Sequence, residues 1–344
     1  MGEIDKPAVT QAESVSGKPR RRGCAGHCAR FWWAYLIALA CIVVLVVPLV
    51  LLVGIPNLAQ QKLDAAVLSI DGIVVTNTQA QNMTMAINST IRSDGQVHAT
   101  FEPFQGVMYL EDLQPHTPFA KIDFPETDSD ALVLINVTQT LQIENVEALT
   151  VFNTWLLANE SLKVTVEGNT NVHVRGISRA YPVTFKKTVD IPGLRMLQGI
   201  IVNQTFINAT ATEGDNFRGQ VYIPNHSVVA FELGNCTFHN YLLGKEVGTV
   251  FIDNMTLWPG MNNYTMRASI SQSDVINVMG QRPYCDEAKG VLPFEIGGKS
   301  VVNHGQALPY FANALASANQ TITIDIGGTL KRDYDLTIPC AGES

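Results

Sequence analysis

The residue pattern most suggestive of enzyme chemistry is a glycine-lysine-serine run. Residues 297–300, Gly-Gly-Lys-Ser, match the end of a phosphate-binding loop, in which backbone amides and a lysine hold phosphate oxygens. The first glycine of that motif would stand at position 293, which is a proline, so the pattern is broken. The sequence contains no His-Glu-x-x-His, Gly-x-Ser-x-Gly or Gly-x-Gly-x-x-Gly motif either.

Histidines and paired carboxylates are the other side chains that could do chemistry. Six histidines follow residue 56, and none stands two or four positions from another, so the spacing predicts no metal-ligand pair. Asp286-Glu287 and the Asp128/Asp130 pair are most simply solvated loop residues, although two distant carboxylates can hydrolyse a glycoside without any motif. We predict a protein that is not an enzyme, with no catalytic, cofactor-binding or metal-binding residues. A glycoside hydrolase is retained only as an alternative.

The element that must position everything else is an uninterrupted apolar run at residues 31–55. As a helix its 25 residues would span roughly 37 Å, against a hydrocarbon core of about 30 Å. A cleaved signal peptide has a shorter apolar region followed by a small-residue cleavage site. This run is longer and no such cleavage site follows it. Basic residues cluster before the run, which predicts that residues 1–30 form a disordered cytoplasmic tail and that the chain beyond the span is luminal or extracellular.

The charge distribution follows the same division. The first 55 residues carry a net charge of +3 and the remainder −11, which together give −8. An acidic domain lacks the clustered Lys and Arg that phosphate backbones require, so we predict no nucleic-acid partner. The basic tail is suited to anionic lipid at the cytoplasmic face.

Glycosylation sequons test the orientation independently. Residues 56–344 contain 23 Asn and 39 Ser or Thr, which would produce about three Asn-x-Ser/Thr triplets by chance. Eleven are present, and all lie after the span, which predicts a glycoprotein. The candidate acceptors are Asn82, Asn88, Asn136, Asn159, Asn203, Asn208, Asn225, Asn235, Asn254, Asn263 and Asn319.

The six cysteines divide between the two sides of the membrane. Cys24 and Cys28 stand just before the span and are candidates for palmitoylation, with ordinary reduced thiols as the equal alternative. On the luminal side we favour a Cys285–Cys340 disulfide, because Cys285 lies in a loop-like stretch and Cys340 would tie down the C-terminus. Spacing alone does not fix the connectivity, and Cys236 is left either free or paired between chains.

The region after the span contains an internal duplication. Leu149, Phe152 and Leu156 recur with the same spacing as Leu308, Phe311 and Leu315, and residues 71–76 resemble residues 198–203. Alternating strands and closely spaced turns dominate both copies, which is typical of a β-sandwich or barrel, and each copy has one helix carrying the Leu-Phe-Leu stripe. We predict a mainly β fold: a transmembrane helix at 31–55, then two tandem related β-sandwich-like domains, each with a short packing helix. Their predicted limits are 56–192 and 193–344, the second with an insertion near 277–305.

This organisation resembles the fungal membrane proteins grouped under domain of unknown function 3712. Residues 164–168, Val-Thr-Val-Glu-Gly, and 191–193, Ile-Pro-Gly, stand where blocks of that family are expected. The family includes a vacuolar-membrane protein implicated in ending autophagy. Its luminal part is similar to the late-embryogenesis-abundant type 2 domain, a β-sandwich suspected of holding lipid. The resemblance therefore implies a lipid-handling domain on the fungal vacuole membrane, with the plasma membrane or another endomembrane as alternatives.

Two functions of different kinds are compatible with the sequence. In the first, the luminal sandwiches bind or handle lipid close to the membrane, in an apolar cleft between sheet and helix. In the second, they form a non-catalytic structural or interaction scaffold of the vacuole lumen or cell surface, shielded by glycans. No cofactor is expected in either case, and protein partners are not specified by the sequence.

Overall fold

The structure is a computed structural model that describes residues 24–211 and 214–342, with side chains from residue 32 onward. Its described residues fall into two units, divided between Ile55 and Pro56. Cys24 and Cys28 lie outside the residues whose side chains are described.

The first unit is a helix of membrane-spanning character. Helix α1 (Cys24–Leu49) contains Pro48 and passes into a π-helical turn at Val50–Gly54. Such a widened turn is a common way to accommodate a proline, whose nitrogen cannot donate to the preceding turn. The helical stretch Trp32–Ala65 is long and apolar enough to cross a membrane, and the large apolar side chains of its first half are exposed. The chain is therefore suited to membrane association. Residues 24–30, predicted to belong to a disordered tail, are helical.

The second unit is built mainly from strands. Its helices are α2 (Ile55–Ala65, shared with the end of the first unit), α3 (Val146–Ala158), α4 (Gln272–Met279), α5 (Pro309–Ala316) and α6 (Ile326–Tyr334). Its strands are β1 (Val67–Thr76), β2 (Asn82–Arg92), β3 (Ala99–Phe101), β4 (Phe104–Leu110), β5 (Ala120–Phe124), β6 (Thr127–Asp128), β7 (Leu132–Gln142), β8 (Ser161–Val174), β9 (Ala180–Pro192), β10 (Ile201–Ile207), β11 (Phe217–Asn225), β12 (Val229–Leu242), β13 (Lys245–Leu257), β14 (Gly260–Ile270), β15 (Val291–Asn303), β16 (Gln306–Ala307) and β17 (Gln320–Asp325). Strands hold 49% of the residues and helices 24%, which confirms the mainly β prediction.

The strands form two sheets that face each other as in a β-sandwich. The larger sheet has the order β10-β11-β14-β13-β12-β1-β2-β7. Beside this path, β15 pairs with β12, and both β16 and β17 pair with β15. The smaller sheet has the order β5-β4-β8-β3-β6, with β9 beside β8. In the larger sheet β1 runs parallel to β12, with Ile73 opposite Val229. Strands from both sides of the predicted boundary at 192/193 thus share one sheet, and the division into two domains stays a prediction.

The two duplicated helices form where the sequence places them. Asn145 caps α3, accepting a hydrogen bond from the Ala148 amide at 2.9 Å, and Pro309 occupies the first turn of α5. Phe152 of α3 stacks on Phe119, and Phe311 of α5 meets Phe231 edge to face. Each Leu-Phe-Leu stripe thus contacts an aromatic ring from its own copy of the repeat. The two helices also pack against each other, an arrangement that a comparison of repeats does not reveal.

Three sequence interpretations are wrong in detail. The continuous apolar run at 132–135 predicts a fully buried strand, but Leu132 and Leu134 are 57% and 68% exposed, because side chains alternate along β7 and only Val133 and Ile135 face inward. The alternating pattern after Asn319 predicts a strand that closes on Gly328, but β17 ends at Asp325, whose side chain accepts from the Gly328 amide and caps α6. Gly-Gln-Val occurs at both 95–97 and 219–221, which predicts equivalent positions in the two copies, but the first triplet lies in a loop and the second in β11.

A candidate apolar binding cavity under helix α2

The most distinctive site in the second unit is an apolar cavity of about 90 Å³ between the two sheets. Strands β2 and β7 of the larger sheet form one wall, and β3, β4, β5, β8 and β9 of the smaller sheet form the other. Helix α2 covers it through Ala59 and Leu63, which lie one turn apart on the same helix face, and Ala66 lines it directly after the helix ends. The other apolar lining residues are Ile91, Val97, Ala99, Phe101, Phe104, Phe124, Val133, Ile135, Val172, Val174 and Phe185.

The cavity exists because the core is filled unevenly. Near α3 the space between the sheets is closed, and Leu156 and Val164 are 1% and 0% exposed. At the α2 end Phe101, Phe104 and Phe124 are only half-buried, although they point between the sheets. Natural cores normally fill such space with side chains, since every void forfeits packing contacts. An open, ring-lined end of a sandwich is therefore a feature that suits a hydrocarbon ligand.

The rim of the cavity is polar and largely self-satisfied. Lys62 of α2 forms an ion pair with Asp94, and its hydrogen bond holds the pKa of that carboxyl below the usual range. Asp128 accepts a hydrogen bond of 2.7 Å from the Thr100 hydroxyl. Ser129 Oγ donates to the Val97 carbonyl at 2.7 Å. The positive charge of Lys62 is thus already matched by Asp94 at the rim.

Helix α2 is fastened to the edge of β9 by side chains that imitate backbone pairing. Gln60 Nε2 donates to the Thr184 carbonyl and Gln60 Oε1 accepts from the Thr184 amide, both at 2.9 Å. Lys187, 8% exposed, donates to the carbonyls of Asp64 and Ala66 at the C-terminal end of α2, where a cation complements the helix dipole. Burial lowers the pKa of this lysine. The helix is thus held at two points along the same strand.

Loss of the Gln60–Thr184 hydrogen bonds is expected to weaken the attachment of α2 to β9. In Gln60→Ala the two hydrogen bonds to Thr184 are lost, at about 0.5–1.5 kcal/mol each. Opening of α2, measured by hydrogen exchange of amides 58–65 in the full-length protein, should become about tenfold more frequent. The control is Gln61→Ala, which changes an exposed neighbour on the same helix. Equal protection in both variants would contradict the fastening role of Gln60.

The predicted glycosylation sites are concentrated on one of the two sheets. Eight sequon asparagines are exposed, most of them on strands of the larger sheet, and no strand of the smaller sheet carries one. Asn88 and Asn136 stand directly opposite each other on β2 and β7. The exposed acceptors are Asn88, Asn136, Asn203, Asn208, Asn235, Asn254, Asn263 and Asn319, while Asn82 and Asn159 are half-buried.

One candidate acceptor does not fit its predicted role. Asn225 is 3% exposed, and its Nδ2 donates to the carbonyls of Val229 and Leu257 at 2.8 and 3.2 Å. Its Oδ1 accepts from the Ser227 amide at 2.8 Å. A glycan on this nitrogen would be incompatible with the packing, so the Asn225 triplet is a structural turn that happens to match the sequon.

The cysteines occupy three different environments. Cys285 and Cys340 are joined by a disulfide that links the segment after α4 to the C-terminal segment. Cys236 is free and 1% exposed, and burial raises the pKa of its thiol to about 12, which leaves it protonated and unreactive at neutral pH. Cys41 is exposed on the membrane-type helix.

The residues that resemble enzyme motifs are used structurally. Gly297-Gly298-Lys299-Ser300 lies inside β15 and does not open a helix, so it cannot form a phosphate loop. A Cβ on Gly298 would stand 2.6 Å from the Leu315 Cβ, so the glycine is needed for close approach of α5. Among the described residues no group of three His, Cys, Asp or Glu side chains could hold a metal ion.

The histidines are dispersed, and several of them meet a single carboxylate. His173 contacts Glu102 at 2.6 Å, and His239 contacts Glu246 at 2.6 Å. Sequence reasoning took Asp128 and Asp130 as ordinary loop residues, and the structure places both on the cavity rim. No local signal would have shown this, because the rim is assembled from α2, β6 and two loops, β2–β3 and β6–β7.

The fold and the cavity define a β-sandwich-like protein that carries a helix of membrane-spanning length and a partly unfilled core. The family model described as "Protein of unknown function (DUF3712)" matches residues 117–240, which supports assignment to that family. The matched range contains the α3 helix and both Ile-Pro-Gly and Val-Glu-Gly blocks, and it crosses the predicted boundary at 192/193.

Other known proteins give little further guidance. No curated protein matches the chain. Among solved structures, an exo-chitosanase of Amycolatopsis orientalis is 12% identical with a TM-score of 0.19, the alignment covering 74% of this chain and 26% of that one. A cross-linked bacterial adhesin of Mobiluncus mulieris is 9% identical with a TM-score of 0.19, covering 77% and 94%. The chain thus spans about a quarter of the chitosanase, and similarities of this size support no inference.

Proposed function

We propose that this protein is a single-pass membrane glycoprotein that binds a hydrocarbon ligand in the cavity under α2. The observation that carries the proposal is the incompletely filled, aromatic-lined end of the sandwich, covered by a helix that follows the membrane-type helix directly in the chain. Apolar ligands gain about 0.8 kcal/mol for each methylene removed from water, and the lining offers an almost entirely apolar surface below the rim.

The size of the cavity constrains the ligand. At about 90 Å³ it is smaller than the roughly 150 Å³ cavity known to take benzene, so the closed form admits only a short, slender segment of a chain. A flexible acyl or alkyl chain meets this requirement better than a rigid ring system. Longer chains would require α2 to move away from β9, which breaks the hydrogen bonds of Gln60 and Lys187.

The proposed ligand can be sought directly. Full-length protein extracted from its membrane in mild detergent and examined by native mass spectrometry should retain a single-chain lipid or fatty acyl compound. Solvent extraction followed by lipid analysis identifies it. Recovery of protein with no bound lipid, together with no labelling of cavity peptides by a photoreactive alkyl chain, would refute the proposal.

We propose further that the N-terminus is cytoplasmic and the sandwich luminal, in a fungal vacuole membrane or a related membrane. The support is the basic tail, the excess of sequons after the span and the exposure of most of them. Protease added to sealed vesicles should leave the sandwich intact, and endoglycosidase should increase its gel mobility. Digestion of the sandwich with unchanged mobility would reverse the orientation.

The second candidate function is a non-catalytic scaffold. It is favoured by the sequon-rich outer face of the larger sheet, which glycans would shield from other proteins. In this case the protein would act through the bare face of the smaller sheet. Pull-downs that enrich specific partners, from a protein that retains no lipid, would favour the scaffold. A glycoside hydrolase has no comparable support, and we propose that the protein is not an enzyme.

A further inference from the structure

Tyr181 presents a buried hydroxyl that is unexplained by the fold. Its side chain is 2% exposed, and its Oη has no hydrogen-bond partner among the described residues. Leaving such a group unpaired costs about 1–3 kcal/mol, and a phenylalanine would fill the same space without that cost. Buried polar groups in natural proteins are nearly always satisfied, so an orphaned hydroxyl indicates an absent partner.

Tyr181 stands on the cavity side of the smaller sheet. In the β8–β9 pairing it lies directly opposite Val172, which lines the cavity. Successive side chains of a strand alternate between faces, so Tyr181, Val183 and Phe185 share one face of β9, and Phe185 also lines the cavity. Tyr181 thus shares the inner face of the smaller sheet with the aromatic lining and lies beside the residues that line the cavity, without being one of them.

The contacts of α2 place Tyr181 toward the start of that helix. Gln60 is bonded to Thr184, and the carbonyls of Asp64 and Ala66 reach Lys187, so α2 runs along β9 with its later residues beside the later residues of the strand. Its N-terminal turn is therefore directed toward the Tyr181 end of β9. A ligand that enters when α2 opens would meet this end of the strand.

From these observations we infer that Tyr181 Oη is the polar contact of the cavity ligand, and that the ligand is a neutral amphiphile. It would carry a hydroxyl or carbonyl oxygen next to its hydrocarbon chain, as alcohols and esters of long-chain lipids do. A neutral oxygen fits because the phenol can donate to it or accept from it, whereas a buried ion would need a compensating charge. Lys62, the lysine of the lining, is already paired with Asp94. This inference rests on the proposed function.

The test compares two photoreactive probes in full-length protein held in lipid nanodiscs. One is a diazirine-bearing long-chain alcohol, and the other is the hydrocarbon of equal length without oxygen. Labelling of cavity peptides is followed by mass spectrometry as a function of probe concentration. The ratio of half-saturating concentrations should favour the alcohol about tenfold more in the natural protein than in Tyr181→Phe, which is the effect of one buried hydrogen bond. Partitioning of the probes into lipid cancels in this comparison.

Thermal unfolding of the delipidated protein provides the second readout. Tyr181→Phe should be at least as stable as the natural protein, since its hydroxyl has no partner to lose. The matched control is Tyr310→Phe, because Tyr310 is equally buried but donates to the Gln79 carbonyl at 2.8 Å, and this variant should be destabilised.

The outcomes separate the two proposals. Labelling by both probes with a ratio unchanged in Tyr181→Phe would overturn the role of Tyr181 and leave the cavity as a general hydrocarbon site. Destabilisation by Tyr181→Phe together with an unchanged ratio would show that an ordered water satisfies the hydroxyl, and would overturn the inference as well. No labelling of cavity peptides by either probe would refute ligand binding itself.

Discussion

Replacement of Ala99 by phenylalanine is expected to lower the affinity of the cavity for a hydrocarbon chain about 50-fold. Ala99 lies on β3, pairs with Val174 and lines the cavity. A ring added at this position would occupy the space of about three methylenes, each contributing about 0.8 kcal/mol of transfer free energy. The loss corresponds to about 2.4 kcal/mol, and the measurement is photolabelling of cavity peptides in the full-length protein.

The control for this variant is Ala86→Phe. Ala86 lies on β2, between the inward-facing Met85 and Ile87, so its side chain is on the opposite face of the larger sheet from the cavity. Labelling of the control should remain close to that of the natural protein, since a ring there does not enter the cavity. Retention of full labelling in Ala99→Phe would mean that the hydrocarbon binds elsewhere.

Substitution of Gly193 by alanine is expected to destabilise the second unit by at least about 3 kcal/mol. A Cβ at this position would stand 2.1 Å from the Asn159 carbonyl oxygen and 3.0 Å from that of Leu156. Both oxygens belong to the C-terminal end of α3, where the Leu194 amide donates to Leu156 at 2.7 Å. Backbone cannot yield as a flexible side chain can, so the segment would have to detach from α3. Denaturant or thermal unfolding of the full-length protein measures the loss.

Gly176→Ala separates steric overlap from backbone conformation. Gly176 has a φ of +88° and no atom within 4 Å of an added Cβ, so alanine there meets only the conformational cost of about 1–2 kcal/mol. A similar small loss in Gly193→Ala would show that the end of α3 accommodates the methyl group, against the geometry described here.

The blocks that suggested a family are explained by packing and not by chemistry. Gly168 of the Val-Glu-Gly block would place a Cβ 2.7 Å from the Gln105 carbonyl and 2.8 Å from the Phe104 ring. Gly193 of the Ile-Pro-Gly block makes the approach to α3. Short motifs of this kind specify where two backbones meet, which is why they predicted the fold class and left the function open.

Local sequence signals predicted where helices and strands form better than they predicted which of these elements lie next to each other. The Asn145 cap, Pro309 and the Leu-Phe-Leu stripes placed two helices correctly, because capping and periodicity act within a few residues. The parallel pairing of β1 with β12 joins residues about 155 positions apart, and no local pattern encodes such a contact. The exposure of Leu132 and Leu134 was missed for the same reason, because whether the outer face of a strand is covered depends on distant parts of the chain.

The candidate site was only partly visible in the sequence. A cleft between sheet and helix was predicted in general terms, but α2 was not predicted, since residues 56–65 are too polar for a span and too short for a clear amphipathic pattern. Its function as a cover depends on Gln60 and Lys187, two polar residues whose partners lie on β9. Likewise, the unpaired hydroxyl of Tyr181 becomes evident only from the positions of all the residues that surround it in the folded chain.

The uneven distribution of sequons has a practical consequence for recognition from outside. With sugars attached to β2, β7, β10, β12, β13 and β14, the larger sheet would be covered by a carbohydrate layer, while the strands around β8 and β9 would remain bare protein. Antibodies raised against the native molecule should therefore bind chiefly the bare side. Because α2 lies against β9, some of these antibodies should bind across α2 and β9. They would then hold α2 in place over the cavity.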